Sequence, residues 1–274
     1  MTGASGFIGT YVRKALWEAG YETVSLVRTV RPDFTPYPNE RVVAGTLSES
    51  DLLERELSGF AIDACVHLAW EGIPDYSGAV SAKNLEYGLH ILRLCERLGI
   101  SKLVISGSCW EYLNPVGLVS ETAPLSWENP FKVAKNALHT MAEAFCREKA
   151  ISCYWLRFFY VYGEGQRLGS LIPYIIKELQ NGVQPMLNGA FNRNDFIHVS
   201  DVAHAVCSSL ERMWTDTFQE TFNIGSGSPT QVLDIVSEAA RLLGVGFDPA
   251  QYTAPQMPPA AFWADTRTVK ERLC

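Results

Sequence analysis

The chain has 274 residues, 47% of them hydrophobic and 19% charged, with a formal net charge of −7. This composition excludes a disordered, charge-rich chain and is sufficient for one large core or two modest ones. An acidic protein lacks the broad positive field that holds nucleic acid or anionic lipid, so a phosphate-bearing ligand must be gripped locally, by backbone amides and a few arginines. No apolar run approaches the roughly 18 residues of a membrane span, and the first residues lack the charged-then-apolar layout of a signal peptide. The seven cysteines (Cys65, Cys95, Cys109, Cys146, Cys153, Cys207 and Cys274) are odd in number and scattered, with no Cys-x-x-Cys pair. That pattern disfavours a disulfide framework or a metal site and fits a reducing compartment. The expectation is a soluble cytoplasmic protein without metal, nucleic acid or membrane partners.

In chain order, the first feature is a glycine loop, Gly3-Ala-Ser-Gly6-Phe-Ile-Gly9, opening a helix over Ile8–Ala19 that Gly20 ends in a left-handed cap. Glycines let the backbone approach a pyrophosphate, and a helix N-terminus offers unpaired N–H groups and a positive dipole end. A strand over Tyr21–Arg28 follows. An acid at its end would take the ribose 2′-hydroxyl of NAD; here stands Arg28, with Arg31 close by, and a guanidinium instead suits the 2′-phosphate of NADP. The competing reading of Arg28 is a solvated surface arginine. Arg41–Ala44 forms the next strand, and Ser48, with Asp51 three residues on, caps the next helix. Then come a strand over Ala64–Leu68, a helix over Asn84–Leu98 with Asn84 as its N-cap, a strand over Lys102–Ser106, a helix over Val133–Lys149 and a strand over Cys153–Phe159. Strands alternating with helices imply right-handed crossovers and an α/β, Rossmann-type doubly wound parallel sheet. From Glu164 the pattern loosens, with Pro and Gly at Gly182–Pro185 and Pro249–Pro259. We therefore expect residues 1–163 and 195–227 to form the dinucleotide-binding domain, and 164–194 and 228–274 a smaller substrate lobe. A Rossmann sheet places a central strand of about five residues before the glycine loop, where only Met1-Thr2 stand. Together with the stop at Leu273-Cys274, this suggests a truncated reading frame.

The Gly-x-x-Gly-x-x-Gly spacing of the loop resembles the extended short-chain dehydrogenase/reductase superfamily, whose NAD(P)-dependent members epimerise, dehydrate or reduce nucleotide sugars. Several further segments carry the resemblance. His67-Leu-Ala-Trp70 is similar to the family's H-L-A-A segment beside the cofactor, although His67 itself reads better as a satisfied core histidine than as a catalyst. Thr46 stands where the family usually has an Asp near the adenine. Asn84 matches an asparagine that helps order the active site. In Ser106-Gly-Ser108-Cys-Trp-Glu-Tyr112 the resemblance makes Ser108 the hydroxyl that stabilises charge developing on the substrate oxygen. Cys109 and Trp110 occupy the positions where 4,6-dehydratases carry an Asp-Glu pair, which disfavours dehydration. Cys109 could act as a base, against the alternative of a buried, inert thiol. The family's Tyr-x-x-x-Lys motif corresponds to Phe131-Lys-Val-Ala-Lys135. Lys135 fits, but Phe131 keeps the tyrosine's shape and loses its proton. This marks a Tyr-to-Phe trap, a crippled homologue, or an enzyme using another acid such as Cys109 or Tyr160.

Leu156-Arg157-Phe-Phe-Tyr160-Val-Tyr-Gly163 and Asn194-Asp195-Phe-Ile-His-Val-Ser-Asp201 continue the resemblance. Arg193 lies one place early for an arginine that grips the substrate diphosphate, and Asp201 can cap a following helix. Phe222-Asn-Ile-Gly-Ser-Gly227 matches the return to the sheet. The resemblance implies cofactor contacts from Gly3, Ser5, Gly6, Phe7, Ile8, Gly9, Arg28, Thr46, Leu47, Leu68, Ala69 and Lys135. It implies substrate contacts from Trp70, Trp110, Tyr160, Arg193 and Asn194. The expected activity is 4-keto reduction or 4-epimerisation of a nucleotide-diphosphate sugar with NADP or NAD, in a homodimer paired through two long helices. The alternatives are a 4,6-dehydratase relative, a catalytically silent dinucleotide-binding regulator and a structural pseudo-enzyme fragment.

Overall fold

The alternation of apolar strands and amphipathic helices appears in a computed structural model that describes residues 1–212, 219–257 and 259–273; Pro258 and Cys274 lie outside the described residues. The N-terminal half runs α1 (Phe7–Glu18), β1 (Thr23–Val27), β2 (Glu40–Ala44), α2 (Ser50–Leu57), β3 (Ala64–His67), α3 (Gly78–Arg97), β4 (Lys102–Ser108), β5 (Gly117–Val119) and α4 (Pro130–Glu148). It continues with β6 (Ser152–Phe158), β7 (Tyr160–Tyr162), α5 (Leu171–Gln180), β8 (Arg193–Asn194), β9 (Phe196–His198) and α6 (Val199–Glu211). The chain closes with β10 (Gln219–Ile224), β11 (Thr230–Gln231), α7 (Val232–Leu243), β12 (Ala261–Ala264) and α8 (Arg267–Arg272).

The main sheet is parallel throughout. One part has the order β10-β6-β4-β3 and the other pairs β1 with β2. Thr2 joins them, bridging Leu26 of β1 and His67 of β3 in parallel. Its N–H donates to the Val66 carbonyl at 2.9 Å, while Leu26 donates to the Met1 carbonyl at 2.8 Å. All seven residues of β6 are buried, as a parallel strand covered on both faces must be. On one face α2, α3 and α4 pack Leu53, Ile91, Leu92, Leu138 and Ala142 against the sheet; on the other α1 and α6 bring Val12, Leu16, Val202 and Val206. A smaller mixed sheet, β11-β8-β12-β5, lies apart, and α5 packs against α7 through Ile175, Leu179, Val232 and Val236.

Three expected helix caps are not caps in the structure, and α4 begins at Pro130 rather than Val133. Asn84 is not a cap: α3 begins six residues earlier, with the Ser77 hydroxyl accepting from the Val80 amide at 3.4 Å, so Asn84 sits inside the helix. Ser48 caps nothing, because its hydroxyl and the Glu49 carboxylate are both tied to Thr46 and the helix opens at Ser50. Asp201 lies in the first turn of α6 behind the true cap, His198, whose Nδ1 accepts from the Ser200 amide at 3.3 Å. Gly20 does take the left-handed conformation, at φ +81°.

A cavity of about 1110 Å³ lies between β1 and β3, lined by Val24, Leu26, Cys65 and Val66 and opening among the residues that precede these strands. The residues singled out as functional gather instead at the carboxyl ends of β1, β3 and β4 and around β7. This is the edge of an open parallel sheet where ligands bind.

Candidate active site

The glycine loop is shaped by contacts that only glycine allows. Gly3 has φ +71°, and a Cβ there would lie 2.9 Å from the Ala69 nitrogen and the Leu68 carbonyl carbon. A Cβ on Gly9 would come within 2.0 Å of the Gly3 carbonyl oxygen, and Gly6 donates to that same oxygen at 3.0 Å. The loop therefore folds back on itself under the first turn of α1, where no side chain caps the amides. This is a cradle for a pyrophosphate. Ser5 presents its carbonyl to Arg31 at 3.3 Å, and Ile8 packs inward on the sheet while Phe7 stands against Tyr11.

Arg28 leaves the end of β1 with its side chain 71% exposed and reaches the Glu71 carboxylate at 3.4 Å, a group that Lys83 also pairs with at 3.1 Å. Glu71 itself is fixed from behind. The Asn84 amide donates to the Glu71 and Val80 carbonyls at 3.0 and 2.8 Å and accepts from the Glu71 N–H at 2.7 Å. The buried asparagine thus staples the loop after β3 to the inside of α3. Leu47 is buried and its carbonyl is held by His90, and Thr46 is occupied by Glu49.

His67 is fully buried with Nδ1 2.8 Å from the Thr2 hydroxyl. Burial, then the Lys135 charge, pushes its pKa down to about 3, so it stays neutral. That fits a structural histidine.

Ser108 closes β4 and caps a short turn, Cys109–Glu111. Its hydroxyl accepts from the Trp110 amide at 3.2 Å, and its own amide donates to the Glu111 carboxylate at 2.7 Å. Glu111 is completely buried and also accepts from Trp155 Nε1 at 3.0 Å and Arg157 Nε at 2.7 Å. Arg157 in turn donates to the Tyr112 hydroxyl, which donates to Asn223 at 2.6 Å. The turn carrying Ser108, at the end of β4, is therefore tied to β6 and β10 through a buried network built on one ion pair. Cys109 is 3% exposed, and burial followed by the Glu111 charge pushes its thiol far up. A thiol so placed does not ionise near neutrality, which argues against Cys109 as a base.

On α4, Asn129 caps the helix by accepting from the Lys132 amide at 3.0 Å, which sets Phe131 and Lys135 one turn apart on the buried face. Lys135 donates to the Ser106 carbonyl at 2.8 Å and lies 4.0 Å above the Trp70 ring. Burial lowers its pKa to about 8. Phe131 is 5% exposed, and its ring meets Trp70 at 5.4 Å, Tyr76 at 5.2 Å and Trp110 at 6.1 Å, all edge to face. Ser108, Phe131, Lys135, Trp70 and Trp110 are thus brought to one place, beyond the glycine loop.

Residues 1–225 match the NAD dependent epimerase/dehydratase family. The chain belongs to that family. It is 27% identical over 277 residues to a UDP-glucose 4-epimerase of Bacillus subtilis, covering 89% of this chain and 81% of the relative. It is 24% identical over 247 residues to a dTDP-6-deoxy-L-talose 4-dehydrogenase (NAD(+)) of Aggregatibacter actinomycetemcomitans, covering 87% of each. Among solved structures, MoeE5 in complex with UDP-glucuronic acid and NAD aligns with TM-score 0.79 and 28% identity over 99% of this chain and 91% of its own. The extended short-chain dehydrogenase/reductase resemblance and the doubly wound fold hold, and the cofactor class is a nicotinamide dinucleotide.

In this epimerase/dehydratase-family chain the C-terminal segments form a second hollow of about 370 Å³, lined by Leu171, Tyr174, Met186, Leu187, Asn188 and Asn194 among others. Asn194 is buried there, but Arg193, its neighbour on β8, is exposed and outside that lining. Tyr160 stands between Phe196 and Phe262, and burial pushes its hydroxyl up. Sequence reasoning missed Glu71, Tyr76, Glu111 and Tyr174. Only Glu111 left a signal: it and Arg157 are charges embedded in otherwise apolar segments.

Proposed function

We propose that this chain acts on a nucleotide-diphosphate sugar, by 4-keto reduction or 4-epimerisation, at a site whose proton-transfer step is weakened by Phe131. The observation that carries the reading is the convergence of Ser108, Lys135 and Phe131 beside the glycine cradle. The residues fit a dinucleotide: Gly3 and Gly9 leave the space a Cβ would fill, and the uncapped start of α1 supplies amides to the pyrophosphate. When bound, the nicotinamide ring supplies or takes a hydride. Lys135, the one buried cation of this cluster, would hold the nicotinamide ribose. Ser108 keeps its hydroxyl proton available, since its oxygen accepts from Trp110, and would donate to the sugar oxygen as negative charge develops. Trp70 and Trp110 wall the sugar. The segments 164–194 and 228–274 form the substrate lobe, and the hollow lined by Tyr174, Met186 and Asn194 takes the nucleotide end. Arg28 favours NADP over NAD.

Cys109 and Trp110 offer no acid pair, which speaks against 4,6-dehydration. A silent dinucleotide-binding regulator is the second reading, favoured by Phe131 alone. Calorimetric titration with NADP, NAD and a panel of nucleotide sugars, followed by product analysis, tests the proposal. Saturable binding of dinucleotide and sugar nucleotide with measurable conversion is expected. Dinucleotide binding without any sugar nucleotide bound would favour the regulator.

A further inference from the structure

Of the three rings packed directly on Phe131 (Trp70, Tyr76 and Trp110), one is a phenol. Trp70 and Trp110 carry indoles, which donate but do not ionise near neutrality. Tyr76 touches Phe131 at 5.2 Å in a near-perpendicular contact (74°) and Trp110 at 5.2 Å. It is half-buried, so solvent can replace a proton it gives up. Among the described residues no group takes its hydroxyl in a hydrogen bond.

The loop that carries Tyr76 is firmly held. Asn84 staples its start at Glu71, the Asp75 amide donates to the Gly72 carbonyl at 2.7 Å, and the Ser77 amide donates to the Asp75 carboxylate at 2.9 Å. Ser77 then caps α3. Tyr76 therefore sits between two anchored residues, and its ring is packed on the position that lacks a hydroxyl. The other two acids near this place are ill-suited. Cys109 is buried beneath the Ser108 turn, and the Tyr160 hydroxyl, although it meets the Trp110 side chain, is pushed up by burial with its ring wedged among Phe196 and Phe262.

We propose that Tyr76 is the proton donor of this site, supplying from the loop after β3 the phenol that position 131 lacks. This rests on the reading of the site as one for a nucleotide-sugar carbonyl. When that carbonyl is reduced, a hydride from the reduced nicotinamide dinucleotide forms the new C–H bond and the C=O π pair moves to oxygen. That oxygen takes the proton of Tyr76, whose O–H bond breaks, and solvent returns a proton to the phenolate.

Four proteins decide it: the parent, Tyr76→Phe, Phe131→Tyr and the double variant. Each is titrated with dinucleotide and sugar nucleotide through intrinsic tryptophan fluorescence, to which Trp70 and Trp110 contribute, then followed in a single turnover. In the parent background Tyr76→Phe is expected to slow turnover roughly 100-fold with binding unchanged, the usual effect of losing a positioned acid. In the Phe131→Tyr background the same substitution is expected to change the rate by no more than about twofold, because the proton then comes from position 131. A packing role would cost the same in both backgrounds, and equal losses would overturn the proposal. It is also overturned if Tyr76→Phe leaves the parent rate intact, or if the parent binds both ligands yet transfers no hydride. Failure of the parent to bind any sugar nucleotide would instead refute the reading of the site, and this proposal with it.

Discussion

Arg28 gives the most direct prediction about cofactor choice. Its guanidinium is exposed and paired with Glu71 at 3.4 Å. A 2′-phosphate arriving there gains a charge-assisted hydrogen bond of about 1.5–3 kcal/mol. The same event releases the Arg28–Glu71 pair, and an exposed pair of this kind contributes about 0.2–1 kcal/mol. The net preference for NADP over NAD is then about 0.5–3 kcal/mol, or roughly two- to a hundredfold in Kd. Arg28→Ala should remove most of that preference with little change for NAD. Glu71→Gln should sharpen it, tightening NADP by up to about fivefold, because the competitor for the guanidinium is gone. Titration calorimetry of both dinucleotides at one fixed ionic strength measures all three ratios, since exposed charges are screened by salt. Equal dissociation constants in the parent, or an unchanged ratio in Arg28→Ala, would refute the reasoning.

Lys135 should show opposite pH responses in binding and stability. Its pKa falls from 10.5 to about 8 by burial, so between these values the unfolded chain holds a proton that the folded chain has shed, and stability rises with pH across that window. The cation itself is present below about pH 8 and lost above it, so dinucleotide affinity should fall there while the urea midpoint rises, and Lys135→Met should flatten both profiles. Gly9→Ala should cost about 1–3 kcal/mol and abolish dinucleotide binding, since its Cβ would lie 2.0 Å from the Gly3 oxygen; calorimetry and a thermal melt check this. Glu111→Ala strands the buried Arg157 charge and should cost about 3–5 kcal/mol by urea denaturation, with Ser108 loosened and turnover reduced.

What could be read in the sequence was whatever depends on near neighbours. The glycine spacing, the Gly20 stop, the β4–Ser108 junction and the one-turn spacing of Phe131 and Lys135 are all local, so they appear where expected. Errors arose where a local signal had two outlets. Asn84 can cap a helix, but it can equally bond a loop from inside one, and the choice was made by Glu71, 13 residues away. Ser48 lost its capping role to a turn in which Thr46 binds Glu49. Arg193 and Asn194 alternate on a strand, so one residue of register decides which side chain faces the hollow. Glu71, Tyr76 and Glu111 were missed because their partners, Arg28, Phe131 and Arg157, lie in distant segments that only the folded chain brings together.

The central claim is that a nucleotide sugar is reduced or oxidised beside Phe131 at a rate limited by the missing hydroxyl. The decisive measurement is a single-turnover record of nicotinamide absorbance with a nucleotide 4-ketosugar at saturating reduced dinucleotide, in the parent and in Phe131→Tyr. The account predicts slow oxidation in the parent, where Tyr76 already supplies about 100-fold of the 10²- to 10⁴-fold effect of a positioned acid, and a rate up to roughly 100-fold higher in the variant, with both ligands bound equally well. A variant that folds and binds both ligands but reacts no faster than the parent would contradict it.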